Sequence, residues 1–409
     1  MLTTVTNAIS KLPQILLDQH RLLQGSRILI VASNNAKNRA PFNQTMLTLQ
    51  KKGRFQCVPF LSPSGNEAKI ETVDDGVLMA QKTGCEAVLA VGGGTIIDIG
   101  KMISAVLTNG GSVNDYIKSP KANVVNKELF DEDRNINPTV NIAIPTLMGS
   151  GAELSNHAVL LNPGEEKMIT FSNDLLRPNF VVADKSFAKG VSNSLESVVC
   201  FANFARAIDL HINNVQSIDV AEEDVESWGQ HVASLEASKL YLSTILKDDD
   251  DDDNNDDGWY EIASGASFQS AYSLNISDSG LSISARFAQT ICGLFSVPYA
   301  NVHSAIFLPL LKARIDHAKI KNKKKDIEFL DRLQVAASTI CEDPSSNVDD
   351  LIQYLEDVYE KLGLQNMKEL GMSRTDSELA ISLVFTENDL EEIQLLGRET
   401  LLNVIVAEE

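Results

Sequence analysis

The sequence predicts an α/β protein in two parts: an N-terminal parallel sheet covered by helices on both faces, then an all-helical C-terminal half. Three observations carry that expectation. Up to Asp184, short β-branched runs alternate with helical patterns. Beyond it, apolar residues recur at helical spacing and strand-like runs become few. Between a strand and a helix of the first part stand three consecutive glycines, Gly92, Gly93 and Gly94.

The elements follow in order. The opening segment, MLTTVTNAISKLPQILLDQHRLL, reads in its second half as an amphipathic helix. Arg27 to Ser33 (RILIVAS) reads as a buried strand and Phe55 to Leu61 as a second. A helix is expected over Ile70 to Thr83, a strand over Glu86 to Val91, a helix from Thr95, and a strand from Thr139 to Ile144 that ends at Pro145. Strands separated by helices of this length pair in parallel, because a parallel neighbour requires a long crossover. Helical periodicity then marks Ser194 to Leu210, Val232 to Leu246, Ile327 to Ile340 and Val348 to Leu362. The expected domains are 1–187 and 188–409, with a cleft between them. Asp248 to Asp257 holds eight Asp in ten residues. Like charges at that density repel and cannot pack, so the run is expected to be a solvated loop insertion. A calcium loop would need alternating ligands and a turn glycine at set spacing. Ile320 to Asp326 is likewise expected to be a solvated helix end or loop.

Composition narrows the functional classes. The 409 residues are 44% hydrophobic, too apolar for a mainly disordered chain. Lys and Arg total 35 against 56 Asp and Glu, a formal charge of −21. Nucleic acid and anionic membrane surfaces need a basic patch, so neither is an expected partner. The five cysteines are scattered without a C-x-x-C pair, as reduced thiols would be, and no secretory signal opens the chain. A cytoplasmic protein is expected.

The most informative stretch is Val88 to Lys101, VLAVGGGTIIDIGK. Thr95 can cap the helix that opens there, and Asp98 three residues on can reach back to it. Residues without side chains let a phosphate approach the main chain, and the N–H groups of a helix N-terminus favour an anion. A glycine turn can also serve only to pack strand against helix, and on physics alone both readings stand. The motif is neither a Walker loop nor the G-x-G-x-x-G fingerprint, which follows the first strand directly. Here that strand runs into Ser33-Asn34-Asn35-Ala36.

These residues resemble the iron-containing alcohol dehydrogenase family, of the dehydroquinate synthase-like superfamily. GGGTIIDIGK is similar to the family's GGGSxxDxxK, and NIAIPTLMGSGAELSNHAVL (Asn141 to Leu160) resembles its second signature. Lys167, after Asn162-Pro163-Gly164, matches the family's Lys beyond a short acidic turn. Val297-Pro298 and Ala305 to Pro309 look like its stretched VPHG…A…LP segment. The resemblance implies a Rossmann-like dinucleotide-binding domain, a helical domain, NAD or NADP in the cleft, a small carbonyl or alcohol substrate, and a possible homodimer. It places Gly92, Gly93, Gly94 and Thr95 on the pyrophosphate, Asp98 near the nicotinamide end, and Thr146, Ser150 and Lys167 along the phosphates and ribose. Leu147 replaces a family Thr. Ser33 stands where many NAD-preferring members carry Asp, and without that negative charge a 2′-phosphate is tolerated.

The family's metal ligands have no counterparts. Members hold one divalent metal through an Asp-x3-His pair and two later His, and the ion polarises the substrate oxygen. The six His of this chain are His20, His157, His211, His231, His303 and His317, none with Asp four residues before it. The ligand positions fall on Val199, Asn203, the neighbourhood of Ala285, and Tyr299 of Pro298-Tyr299-Ala300. No metal is expected. Carbonyl chemistry still needs a polarising donor and a proton source, for which the candidates are His303 and Tyr299, with Arg286 and Gln289 beside them. In lacking the ligands while keeping a His before the LP pair, the chain is similar to the metal-independent maleylacetate reductases. His303 is equally readable as a hydrogen-bonded helix histidine, Tyr299 as filler of the vacated pocket, and His157 as a packing residue. The expected function is a metal-independent, NAD(P)-dependent oxidoreductase. The alternative is a non-catalytic relative that binds nucleotide or a protein partner.

Overall fold

The computed structural model describes residues 3–19, 22–34, 36, 40–63, 67–119, 124–125, 139–213, 222–247, 258–276, 282–321, 323–387 and 396–405. The acidic run 248–257 lies outside the described residues. The chain divides into two compact units, Met1–Val191 and Ser192–Glu409.

The first unit is built on a six-stranded sheet. Its elements are β1 (Thr4–Thr6), α1 (Leu12–Gln19), β2 (Arg27–Ser33), α2 (Ala40–Gly53), β3 (Gln56–Ser62), α3 (Ile70–Thr83), β4 (Cys85–Gly92) and α4 (Gly94–Asn109). Then come β5 (Ile117–Ser119), β6 (Val124–Val125), β7 (Val140–Pro145), β8 (His157–Asn162), β9 (Lys167–Ser172) and β10 (Phe180–Val182). The strand order is β3-β2-β4-β7-β10-β1, and every pair is parallel. Burial on both faces explains the unbroken apolar runs: Ile28, Leu29, Ile30, Val31 and Ala32 are all sealed from solvent. On one face Ile28, Ile30, Leu89 and Ile142 pack with Leu12, Leu16, Phe42 and Leu49 of α1 and α2. On the other, α3 and α4 approach closely. A Cβ on Gly76 would stand 2.3 Å from Ile103, and one on Gly100 would stand 2.7 Å from the Ala90 Cβ. Strand β8 pairs with β9 as an antiparallel hairpin.

The order of strands creates a switch point. From β2 the chain passes to β3 on one side, and from β4 it passes to β7 on the other, while β2 and β4 are neighbours. Open α/β sheets bind ligands where the strand ends diverge in this way.

The second unit contains α5 (Asn193–Asn213), α6 (Glu222–Ile245), α7 (Trp259–Asn275), α8 (Ile283–Phe295), α9 (Tyr299–Lys321) and α10 (Lys324–Cys341). It ends with α11 (Val348–Leu362), α12 (Arg374–Glu387) and α13 (Arg398–Ile405). Phe201 and Phe307 meet edge to face, and Phe201 meets Tyr359 in the same way. Pro309 lies inside α9, where its ring disturbs the preceding turn. The Tyr359 hydroxyl bridges the opened ladder by donating to Ser304 O and accepting from Leu308 N–H at 3.3 Å. The segment Ile320 to Asp326 is a helix boundary, but Asp326 is turned inward: it is buried and pairs with Arg314 at 2.9 Å.

Candidate functional site

The glycines lie at the switch point. β2 and β4 are in register up to Ala32 and Val91, so Ser33 and Gly92 follow side by side at the carboxyl edge. Gly92 is opposite Pro145, and its carbonyl accepts from Thr146 N–H at 3.0 Å, which fixes the end of β7 beside it. Each glycine has a separate reason. A Cβ on Gly92 would strike Ile96 at 2.6 Å, so that position serves the tight strand-to-helix turn. One on Gly94 would press on Ser150 at 3.1 Å, so the Ser150 loop lies directly on the first turn of α4. Gly93 faces open space: a Cβ there would meet nothing within 4 Å. Its backbone is ordinary, with φ −77°, so neither strain nor crowding demands glycine there. What its lack of a side chain leaves is main chain open at the mouth of a helix, where N–H groups are unsatisfied from within and the dipole favours negative charge.

Two local expectations are corrected. The helix starts at Gly94 with Gly93 in the cap position, so Thr95 lies within the first turn and does not cap it. Asp98 does not reach back to Thr95. Its carboxylate turns to the hairpin, accepting from Val159 N–H at 3.0 Å and facing Lys101 at 3.6 Å. The three-glycine turn lets the helix begin one residue earlier, which leaves Asp98 too far along it for a capping box.

Lys101 is the member of the site that sequence reasoning left without a role. It is 0% exposed and donates to Ser155 Oγ at 3.0 Å and to His157 O at 2.7 Å. A lysine in a helix with apolar residues on every side, Ile97, Ile99, Met102 and Ile103, was the available signal. Glu153, also fully buried, adds a second negative charge to Asp98. Burial pushes the Asp98 carboxyl up to about 6 against the opposing pull of Lys101. Burial likewise lowers the Lys101 ammonium, and Asp98 and Glu153 restrain that fall. This dry charge set ties α4 to the segment 150–159 and so holds the Ser150 loop over Gly94. His157 is half-buried, and burial lowers its ring to about 4. Lys167, half-buried, opens β9 opposite Asn162. Because β8 passes Lys101 at His157 and Asp98 at Val159, the hairpin runs toward the N-terminal end of α4.

In the helical unit, His303 and Tyr299 come together: their rings stack at 5.4 Å and 11°. Burial raises the Tyr299 hydroxyl well above its usual range, with Arg206 opposing. His303 is 1% exposed. Its Nε2 lies 3.1 Å from Ser284 Oγ and 3.4 Å from Asp209 Oδ2. Ser282 donates to the same carboxylate oxygen at 2.7 Å, and Ser284 makes a shorter bond to it. This is not a nucleophile triad, in which serine and carboxylate engage opposite ring nitrogens. Sequence reasoning missed Asp209 and both serines because they are spread over α5 and α8.

The residues do not fit the ion the family implies. At two ligand positions stand Val199, which has no donor, and Asn203, a neutral amide whose Oδ1 accepts from Ser238 at 2.8 Å. Among the described residues no group of three or more His, Cys, Asp or Glu could hold a metal ion. Catalytic iron or zinc sites need three or more such donors. Among the same residues no helix is long and apolar enough to cross a membrane.

A parallel sheet with an open glycine corner at its switch point, followed by a helical unit, defines a two-part α/β architecture. Comparison with known proteins agrees. Residues 5–185 match the profile of the family described as iron-containing alcohol dehydrogenase. NADH-dependent butanol dehydrogenase A of Clostridium acetobutylicum is 29% identical over 165 residues, 40% of this chain and 39% of that protein. In sequence the chain thus spans less than half the length of this relative. In fold it resembles an archaeal alcohol dehydrogenase from a Red Sea brine pool, with TM-score 0.77 and 17% identity over 98% of this chain and 95% of that one. Sulfoacetaldehyde reductase of Bifidobacterium kashiwanohense, solved with NAD+, gives 0.71 and 16% over 98% and 96%. Through its α/β unit the chain is similar in sequence to the iron-containing alcohol dehydrogenase family, and over both units its fold resembles that of solved alcohol dehydrogenases.

Proposed function

We propose that the protein is an NAD(P)-dependent oxidoreductase that interconverts a small alcohol and its carbonyl without a metal. The observation that carries this reading is the open main chain at Gly93, at the switch point and at the N-terminus of α4. The dinucleotide, when bound, supplies the hydride acceptor or donor. Gly93, Gly94 and Thr95 would hold its pyrophosphate through main-chain N–H groups, with Ser150 and Thr146 beside them and Lys167 adding positive charge. Ser33, uncharged, would accept either NAD or NADP. In place of a Lewis acid, Tyr299 and His303 are the proposed sources of the proton that the substrate oxygen gains or loses.

A second reading is favoured by one observation: His303 is sealed and its Nε2 is already engaged by Asp209 and Ser284. A non-catalytic relative that retains the nucleotide would show that arrangement. Fluorescence titration with NADH and NADPH, followed by a panel of carbonyls with and without added iron or zinc, separates the two. Turnover independent of added metal is expected. Tight cofactor binding with no turnover on any carbonyl supports the non-catalytic reading, and absence of binding removes both.

A further inference from the structure

We propose that Asp209 is the positioning residue that fixes the tautomer of His303, keeping the proton on Nε2 and leaving Nδ1 as the ring's proton-accepting atom. The proposal rests on the reading of His303 as a proton carrier, and it concerns a residue that no sequence motif of the family points to.

Asp209 Oδ2 can only accept. It faces three groups contributed by two other helices: Ser282 Oγ at 2.7 Å, Ser284 Oγ at shorter range, and His303 Nε2 at 3.4 Å. Ser282, the cap of α8, uses its oxygen to accept from Ala285 N–H at 3.2 Å, so its own proton is free for Asp209. Ser284 must place its proton on the Asp209 contact, because two bare oxygens at that separation would repel. The Ser284 oxygen then presents a lone pair to His303 Nε2 at 3.1 Å. With acceptors on both sides, Nε2 has to be the donor. The opposite tautomer would set the Nε2 lone pair against a carboxylate and a hydroxyl oxygen while hiding an N–H at Nδ1. That N–H would be unsatisfied, since Nδ1 is buried without a hydrogen-bond partner among the described residues. The cluster is 7% exposed at Asp209, 2% at Ser284 and 1% at His303, so the groups that make these bonds are shielded from bulk solvent.

The arrangement gives a reason for an acid in the middle of a helical core in a chain with no metal set among its described residues. In a metal centre the ion orients the reacting groups. Here α5, α8 and α9 are joined by a carboxylate that accepts three bonds, and the histidine it orients keeps one basic atom in reserve.

Histidine-labelled protein read by nitrogen–proton correlation spectroscopy tests this without any substrate. Only six histidines contribute, and His303→Ala assigns the signals of interest. The expected wild-type result is a protonated Nε2 and a bare Nδ1. Asp209→Asn, whose amide oxygen can take the place of Oδ2, is expected to keep them, whereas Asp209→Leu removes the acceptor and frees Ser284 to donate to Nε2, which is expected to exchange the two states. Should that variant not fold, Ser284→Ala serves: it leaves Asp209 facing Nε2 and is expected to keep the proton there. A wild-type ring protonated on Nδ1, an unchanged ring in Asp209→Leu, or a flipped one in Ser284→Ala or Asp209→Asn overturns the proposal. NADH titration of the same samples keeps the two readings apart. Loss of cofactor binding in the wild type would remove the oxidoreductase reading and leave the tautomer result standing.

Discussion

At the glycine corner the groups open to a ligand are main-chain amides, and the charged side chains stand behind them. In the helical unit the polar side chains face one another instead: Asp209, Ser282, Ser284 and His303 exhaust most of their bonds internally. The charged and polar side chains of both centres are buried, and in the first the main chain at Gly93 is open. The contrast teaches where ligand binding and where positioning are stored. Lys101, Asp98 and Glu153 hold a loop over the backbone proposed to bind the cofactor, whereas Asp209 holds the ring proposed as the proton carrier.

The largest expected effect comes from breaking the charge set of the first centre. Lys101→Ala leaves the buried Asp98 without the ammonium it faces, which costs about 3–5 kcal/mol. Denaturant unfolding followed at the sheet should show that loss, and NADH binding should weaken with it as the Ser150 loop is released. A stability within 1 kcal/mol of wild type, on the order of an ordinary surface change, would remove Lys101 from this role.

Acidification should separate the two units. His211 and His231 are fully buried in the helical unit, and burial lowers each ring to about 4 from an ordinary 6.5. Between those values the unfolded chain binds more protons than the folded one, so stability falls as pH drops, by at most about 1.4 kcal/mol per pH unit for each histidine. In the α/β unit His157 works in the same direction, but Asp98, raised to about 6, holds its proton in the folded state and opposes it. Trp228 and Trp259 both belong to the helical unit, and Trp228 packs on His211 with centroids 4.5 Å apart. Tryptophan emission should therefore change as pH falls below about 6.5, while the amides of β2 and β4 keep their exchange protection. Simultaneous loss in both units would contradict this.

A smaller effect is expected at the edge of the nucleotide corner. Ser33→Asp introduces a negative charge beside Gly92 and should shift preference from NADPH toward NADH by roughly tenfold, about 1.4 kcal/mol. Equal affinities for the two cofactors in both proteins would place Ser33 outside the ribose site.

The fold was legible because its signals are local and repeated. The helix over Ile70 to Thr83 falls on the predicted bounds, and the strand at Arg27 to Ser33 does too. Two-sided burial produced apolar runs that alternate with amphipathic helices, a pattern readable without knowing the partners of each strand. The first turn of α4 was misread by one residue, because glycine at the cap position carries no side chain to mark it. Lys101 was part of a recognised motif, yet its partners Ser155 and His157 are more than fifty residues away. Asp209 was invisible for the same reason in stronger form. Its carboxylate gains meaning only from serines and a histidine on two other helices, and nothing in its own neighbourhood predicts them.

The most direct test of the central claim is the affinity for NADH of the wild type, of Gly93→Val and of Gly100→Ala, each with and without a chelator. A side chain at Gly93 meets open space, whereas one at Gly100 is driven against Ala90 at 2.7 Å. The expected result is that Gly93→Val loses binding by more than tenfold at unchanged melting temperature. Gly100→Ala should lose about 1–3 kcal/mol of stability through overpacking, and the chelator should change none of the affinities. Unchanged NADH affinity in Gly93→Val, or wild-type binding that disappears with the chelator, would contradict the account.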